Sequence, residues 1–277
     1  MGSIADTTTL ANGVKMPWLG LGVFKVADGP QVENCVRWAL EIGYRHIDTA
    51  AIYGNERGVG RAVRDSGIPR EQIFITTKVW NDAVRAGRDA VLRAFDQSLQ
   101  KLGLDYVDLY LIHWPVKEKC LEAWEAVQQI YLQRRARAIG VSNFLVHHLD
   151  DLRRHSGTTP MVDQVEFHPR VLQRDLIAYC RQHGIQLESW APLMQGEIFK
   201  IPLINELAGK YGKTAAQIAL RWLIQHQVVA IPKSVHRERI AENAAIFDFE
   251  LSEEDMTRID ALDRNQRVGT HPDHFDF

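Results

Sequence analysis

QIFITTKVW at residues 72–80 and YVDLYLIHW at 106–114 frame the unit that decides the fold. Both are short runs rich in β-branched and aromatic residues, the composition of buried strands. Between them Val91, Phe95, Leu99 and Leu102 recur at spacings of three and four, one apolar stripe on a helix. Gly103 stands where that helix needs a left-handed cap. A strand, a helix and a second strand in this order predict a parallel pair joined by a crossover helix.

The same alternation extends in both directions. WLGLGVF (18–24) and YRHIDT (44–49) precede the pair; RAIGVSNF (137–144), MVDQVEFH (161–168), GIQLESWAP (184–192) and VVAIPKS (228–234) follow it. Val32, Cys35, Val36, Ala39 and Leu40 form another helical face, and Gly43 and Gly184 are further expected caps. Ahead of the first run, TTTL and VKMP flank Asn12-Gly13 and predict a β-hairpin. Eight strand–helix units in 277 residues predict one closed (β/α)8 TIM barrel spanning residues 1–277. An open dinucleotide-binding sheet is disfavoured, because Gly58-x-Gly60 and Gly20-x-Gly22 are followed by Val63 and Lys25 where a third small residue belongs.

Composition excludes several classes. With 33 Lys+Arg against 35 Asp+Glu, the chain has no polybasic footprint for nucleic acid or an anionic membrane. No apolar run approaches the roughly 20 residues that span a bilayer. The start, MGSIADTTTL, lacks a basic-then-apolar leader and, with Asp6, a myristoylation pattern. Cys35, Cys120 and Cys180 are odd in number and widely spaced, which predicts neither a disulfide framework nor a metal clip. The expectation is a cytoplasmic, monomeric protein without a metal.

Catalytic residues of such barrels sit at the C-terminal ends of the strands. There the chain carries Asp48, Lys78, His113, Ser142-Asn143, Gln164, Trp190 and Lys233-Ser234, with Tyr53 in the loop after Asp48. Singly, each has an ordinary reading: an Asp as a helix cap, a Lys or His as a solvated side chain, a Tyr packed on the rim. Together they suit protonation of an oxygen that gains negative charge. A tyrosine ionises near pH 10, an adjacent ammonium lowers that value, and a carboxylate keeps the ammonium charged. His113 is suited to orienting a carbonyl, and the hydride then requires a nicotinamide cofactor.

From end to end the chain resembles an aldo-keto reductase. The stretches that carry the likeness are GYRHIDTAAIYGNERGVG, ITTKVW, LYLIHWP, AIGVSNF, QVEFHP, ESWAPL and IPKSVHRERIAEN, in family order. The resemblance implies NADPH-dependent reduction of small aldehydes, dicarbonyls or ketones, with Tyr53 as general acid, Lys78 and Asp48 tuning it, and His113 orienting the carbonyl. Bacterial diketogluconate and methylglyoxal reductases are the branch it is most similar to. For the cofactor, it implies Ser142, Asn143 and Gln164 on the carboxamide, Trp190 stacked on the nicotinamide, and the backbone near Leu193 at the pyrophosphate. The resemblance also implies that Gly22 and Asp48 border that site. Lys233, Ser234, Val235 and Arg239 match residues around the 2′-phosphate, while Glu242 and Asn243 match those around adenine. Phe24, Trp80, His113 and Trp114 match the substrate wall.

Departures are confined to a few positions. Trp190 stands where tyrosine is commoner, and His236 where threonine is. In QRRARAIG (133–140), Arg134 replaces a capping glycine, at a cost of about 1 kcal/mol if the left-handed geometry persists; Arg134, Arg135 and Arg137 read as a solvated face. The connectors PVKEKC and MQGEIFK are short, predicting an open site, and the tail RVGTHPDHFDF carries Phe275 and Phe277, for which folding over the pocket and fraying are both open. Three alternatives remain. Glu166 and Glu188 are candidates for a glycosidase acid/base pair. An NADPH-binding sensor subunit with little turnover would keep the same cofactor residues. A zinc hydrolase is weakest, because His147-His148 lack a ligand spacing and His168 reads as a local structural partner.

Overall fold

The computed structural model describes residues 1–277. An antiparallel hairpin, β1 (Thr7–Thr9) and β2 (Lys15–Pro17), pairs Thr8 with Met16 and turns through Gly13 at φ 87°. It closes the N-terminal end of a barrel: Thr8 Oγ1 donates to Gln186 Oε1 at 2.9 Å, and Asn12 Nδ2 to the Arg137 carbonyl at 2.8 Å. The barrel strands are β3 (Leu21–Gly22), β4 (His46–Asp48), β5 (Phe74–Val79), β6 (Val107–Ile112), β7 (Ala136–Ser142), β8 (Val162–Glu166), β9 (Gln186–Trp190) and β10 (Val229–Ala230). Every neighbouring pair is parallel and consecutive in sequence. Ala230 N donates to the Trp18 carbonyl at 3.0 Å and Gly20 N to the Ala230 carbonyl at 2.9 Å, which closes the ring.

The first and last strands are shorter than their apolar runs. Pro232 has no N–H to continue a ladder, so β10 ends early. Opposite it, a Cβ on Gly22 would stand 2.8 Å from the Ile231 carbonyl oxygen. Glycine at 22 is therefore required by the close approach of the two backbones at the closure.

Helices α1 (Pro30–Ile42), α2 (Glu56–Asp65), α3 (Asn81–Arg85), α4 (Arg88–Leu102), α5 (Cys120–Leu132), α6 (Val146–His155), α7 (Arg174–His183), α8 (Pro202–Tyr211), α9 (Ala215–Gln225), α10 (Arg237–Ala244) and α11 (Glu253–Asp260) surround the sheet. The expected faces are the ones buried: Val32, Cys35, Val36, Ala39 and Leu40 on α1, and Val91, Phe95, Leu99 and Leu102 on α4. Each large side chain removed from water there contributes roughly 1.5–3 kcal/mol. Gly43, Gly103 and Gly184 cap their helices at positive φ, as the spacing predicts.

Arg134 also adopts the left-handed conformation, φ 59°, beyond the end of α5. Its two arginine neighbours correct the expectation of a merely solvated face. Arg135 pairs with Asp96 at 2.7 Å, and Arg137 reaches the buried Asp108 at 2.8 Å. Arg70 holds the other oxygen of Asp108 at 2.7 Å, so this carboxylate is neutralised from two sides.

Candidate active site

Asp48 is the last residue of β4, Lys78 lies near the end of β5, and His113 follows β6, so three adjacent strands deliver them to one end of the barrel. Tyr53 arrives on a short 3-10 turn, Ala51–Tyr53. That turn is held by Asn55, whose Nδ2 donates to the carbonyls of Val23 and Val26 at 2.9 Å each. Its Oδ1 accepts from Thr49 Oγ1 at 2.7 Å. Sequence reading passed over Asn55, because an Asn before a helix reads as its cap. Here the side chain ties the Tyr53 loop to the loop after β3 instead.

Lys78 is completely buried and its ammonium is saturated. It donates to Asp48 Oδ1 at 2.7 Å, Asp48 Oδ2 at 2.8 Å and the Thr49 carbonyl at 3.0 Å, and lies 3.4 Å from Tyr53 Oη. Burial opposes the charge on Lys78, but Asp48 and Tyr53 outweigh it, and the pKa lies above that of an ordinary lysine. The tyrosine corrects the simple expectation of a lowered pKa. Burial raises it further than Lys78 lowers it, so the phenol holds its proton more tightly than a free tyrosine. The group is an acid at neutral pH. Burial, reinforced by Lys78, holds the His113 imidazole well below its usual range, so it is neutral. The His113 ring meets Tyr53 and Trp80 edge-on, with centroids 5.7 and 5.2 Å away.

Ser142, Asn143 and Gln164 lie beside this group. Ser142 Oγ donates to the Gln164 carbonyl at 2.7 Å, and Asn143 Nδ2 to the His113 carbonyl at 3.0 Å. Asn143 Oδ1 accepts from Trp190 Nε1 at 2.8 Å, which fixes the indole at the barrel mouth. After Trp190 the chain is strained: Ala191, Met194 and Gln195 all have φ between 51° and 54°, around Leu193. Such conformations cost roughly 1–3 kcal/mol each and collect at functional loops. Lys233 and Arg239 are exposed and take part in no ion pair, whereas Arg237 pairs with Glu41 at 3.3 Å. Ser234 and Asn243 are buried nearby, Val235 is half-buried, and Glu242 Oε1 accepts from Thr214 Oγ1 at 2.8 Å.

The aromatic residues converge, with the tail folded back rather than frayed. Phe24 lies 4.9 Å from Tyr53, Phe277 stacks on Trp80 at 5.8 Å, and Phe275 and Phe277 both reach Trp114 at 5.2 Å. Asn81 Nδ2 and Arg85 Nη2 donate to the Phe277 carbonyl at 3.0 and 2.6 Å. Farther back, buried Glu166 accepts from the backbone N–H groups of Val268 and Gly269 and from His168. Nothing local in QVEFHP signals that Glu166 anchors the tail from 102 residues away.

These contacts remove the glycosidase pair. Glu166 is consumed by the tail, and Glu188 is fully buried beneath Gln164. The zinc alternative also fails on chemistry. His147 and His148 stand 3.0 and 3.3 Å from Asp273, but His148 Nδ1 accepts from the Leu145 N–H at 3.1 Å. Neutral His148 therefore carries its proton on Nε2, 3.3 Å from Asp273, and offers a metal no lone pair there. His168 is the local partner expected, 2.9 Å from Glu166. No helix is long and apolar enough to cross a membrane.

Known proteins resemble this chain in sequence and in fold. Glyoxal reductase of Bacillus subtilis is 54% identical over 275 residues, 99% of each chain. Among solved structures, MGS-M4, an aldo-keto reductase from a Medee basin deep-sea metagenome library, superposes with a TM-score of 0.94 at 46% identity, covering 98% of this chain and 100% of its own. A Bombyx mori aldo-keto reductase (AKR2E4) in complex with NADP gives 0.88 at 36% identity, covering 96% and 95%. The model of the Aldo/keto reductase family matches residues 18–264, and with a relative of this identity along the whole chain, the protein belongs to that family.

Proposed function

We propose that this protein reduces small aldehydes, α-dicarbonyls and ketones to alcohols with NADPH, Tyr53 donating the proton. The observation that carries the reading is Lys78 Nζ, 3.4 Å from the Tyr53 phenol while holding both oxygens of Asp48. NADPH, when bound, supplies the hydride that adds to the carbonyl carbon. The oxygen left with the electron pair takes the Tyr53 proton, and Lys78 stabilises the tyrosinate until solvent restores it. Neutral His113 offers an N–H to the same oxygen and fixes the carbonyl over the site. Asp48 holds the ammonium in place throughout.

The residues present suit the cofactor. Lys233 and Arg239, exposed and unpaired, supply charge for a 2′-phosphate. Ser142, Asn143 and Gln164 supply polar groups for the carboxamide, and Trp190 a fixed ring face for the nicotinamide. The NADP complex of the silkworm relative and the activity named for the Bacillus relative support the cofactor and the small dicarbonyl class. The wall of Phe24, Trp80, Trp114 and Phe277 favours compact substrates. Three free thiols support a reducing, cytoplasmic setting.

NADPH oxidation over a panel of glyoxal, methylglyoxal, small aldehydes and keto-sugars tests the reading, with Tyr53→Phe measured alongside. Turnover by the parent and its loss in the variant, with NADPH still quenching tryptophan fluorescence, is the expected result. Retention of most turnover by Tyr53→Phe would refute the proton-donor assignment.

A further inference from the structure

Glu188 is a carboxyl side chain with no solvent exposure, inside the barrel and outside the mechanism given above. Its Oε2 accepts from Gln164 Nε2 at 2.8 Å; its Oε1 has no hydrogen-bond partner and lies 3.5 Å from His46 Nε2. Gln164 Nε2 gives its other hydrogen to Asp48 Oδ2, also at 2.8 Å. Both amide hydrogens are thus spent on carboxyl oxygens from two different strands. An ionised Asp48 can only accept, so turning the amide over would set oxygen against oxygen. The carbonyl Oε1 of Gln164 is left without a partner and is the one group the side chain can offer to a ligand.

We propose that Glu188 is a positioning residue that, through Gln164, fixes the acceptor presented to the nicotinamide carboxamide. This rests on the NADPH reading above. Asp48 alone leaves the amide a pivot about one hydrogen bond and a second N–H buried without an acceptor; Glu188 removes both. The chemistry recognised is an amide N–H donor, which the nicotinamide half of the cofactor has and its adenosine 2′,5′-bisphosphate half lacks. Burial, reinforced by Asp48, pushes the Glu188 carboxyl up to about 8, so near neutrality it is an uncharged acceptor, which glutamine can replace. Leucine, of similar volume, cannot.

The test measures two ligands on three proteins: NADPH by tryptophan quenching, and 2′,5′-ADP by its displacement of NADPH. Glu188→Leu is expected to weaken NADPH by about tenfold, the scale of one buried N–H left unsatisfied, and to leave 2′,5′-ADP within twofold. Glu188→Gln is expected to bind both as the parent does. If Glu188→Leu does not fold, Glu188→Thr, whose hydroxyl is too short to reach Gln164, takes its place. Unchanged NADPH binding in the leucine or threonine variant overturns the inference. Equal weakening of both ligands also overturns it, because that pattern marks a general distortion. Failure of the unsubstituted protein to bind NADPH, while it still binds NADH or neither, overturns the cofactor reading itself and this inference with it.

Discussion

Replacing Lys78 by methionine removes a buried cation while nearly preserving its volume, and it separates the two things that cation does. Asp48 would keep one hydrogen bond, from Gln164 Nε2 at 2.8 Å, and lose two, at 2.7 and 2.8 Å, from the only ammonium that faces it. With Asp48 only 2% exposed, little water can compensate the charge left behind. Breaking a buried ion pair by deleting one partner costs about 3–5 kcal/mol, most of it the uncompensated charge. The Thr49 carbonyl also loses its donor. Urea unfolding should therefore place Lys78→Met about 3–5 kcal/mol below the parent. On the proposed mechanism, turnover of a small dicarbonyl should fall by about two to four orders of magnitude, because a tyrosinate formed on proton transfer would lose its counter-charge. The double variant Asp48→Asn/Lys78→Met tests the cause. With both charges gone, much of the stability should return, yet turnover should stay low. Recovery of turnover in the double variant would refute the role given to Lys78. A loss of stability under about 1 kcal/mol in the single variant would refute the buried ion pair.

Other consequences follow from particular contacts. Arg239→Ala removes one of two unpaired cations near Ser234, so NADPH should weaken far more than NADH; equal losses, measured by fluorescence titration, would argue against recognition of the 2′-phosphate. Arg134→Gly relieves a left-handed arginine at φ 59° and should stabilise the fold by about 1 kcal/mol, a rise in Tm of about 2 °C. Glu188→Gln should make stability less dependent on pH. The parent's carboxyl is raised to about 8 by burial and Asp48, with Lys78 and Gln164 opposing and His46 adjacent, so the folded state binds more protons than the unfolded one between about pH 4.5 and 8. That contribution is present below the unfolded pKa and is lost as pH rises through this window. The variant should therefore gain on the parent toward pH 8, by up to about 1.4 kcal/mol per pH unit, and thermal melts that run parallel at all pH values would contradict it.

Much of the site is legible in the sequence because the chemistry there is tied to strand ends. Asp48, Lys78, His113, Ser142 and Gln164 follow apolar runs directly, and in a closed parallel barrel the ends of all runs meet at one face. The left-handed arginine was legible through the family likeness, since Arg134 stands where related sequences carry a capping glycine. Period-two alternation says which side of a strand a residue faces. It does not say which residue it meets across the barrel, because that depends on register and stagger between strands far apart in the chain. So the sequence alone determined the barrel, the polar residues carried at its strand ends and the family likeness. Only the tertiary structure decided that Gln164 bridges Asp48 and Glu188, and that Glu166 anchors the tail bringing Phe275 and Phe277 onto Trp80 and Trp114. The same holds for the direction of the Tyr53 pKa. A neighbouring lysine can be guessed from spacing, but the burial that outweighs it exists only once the strands have closed around both groups.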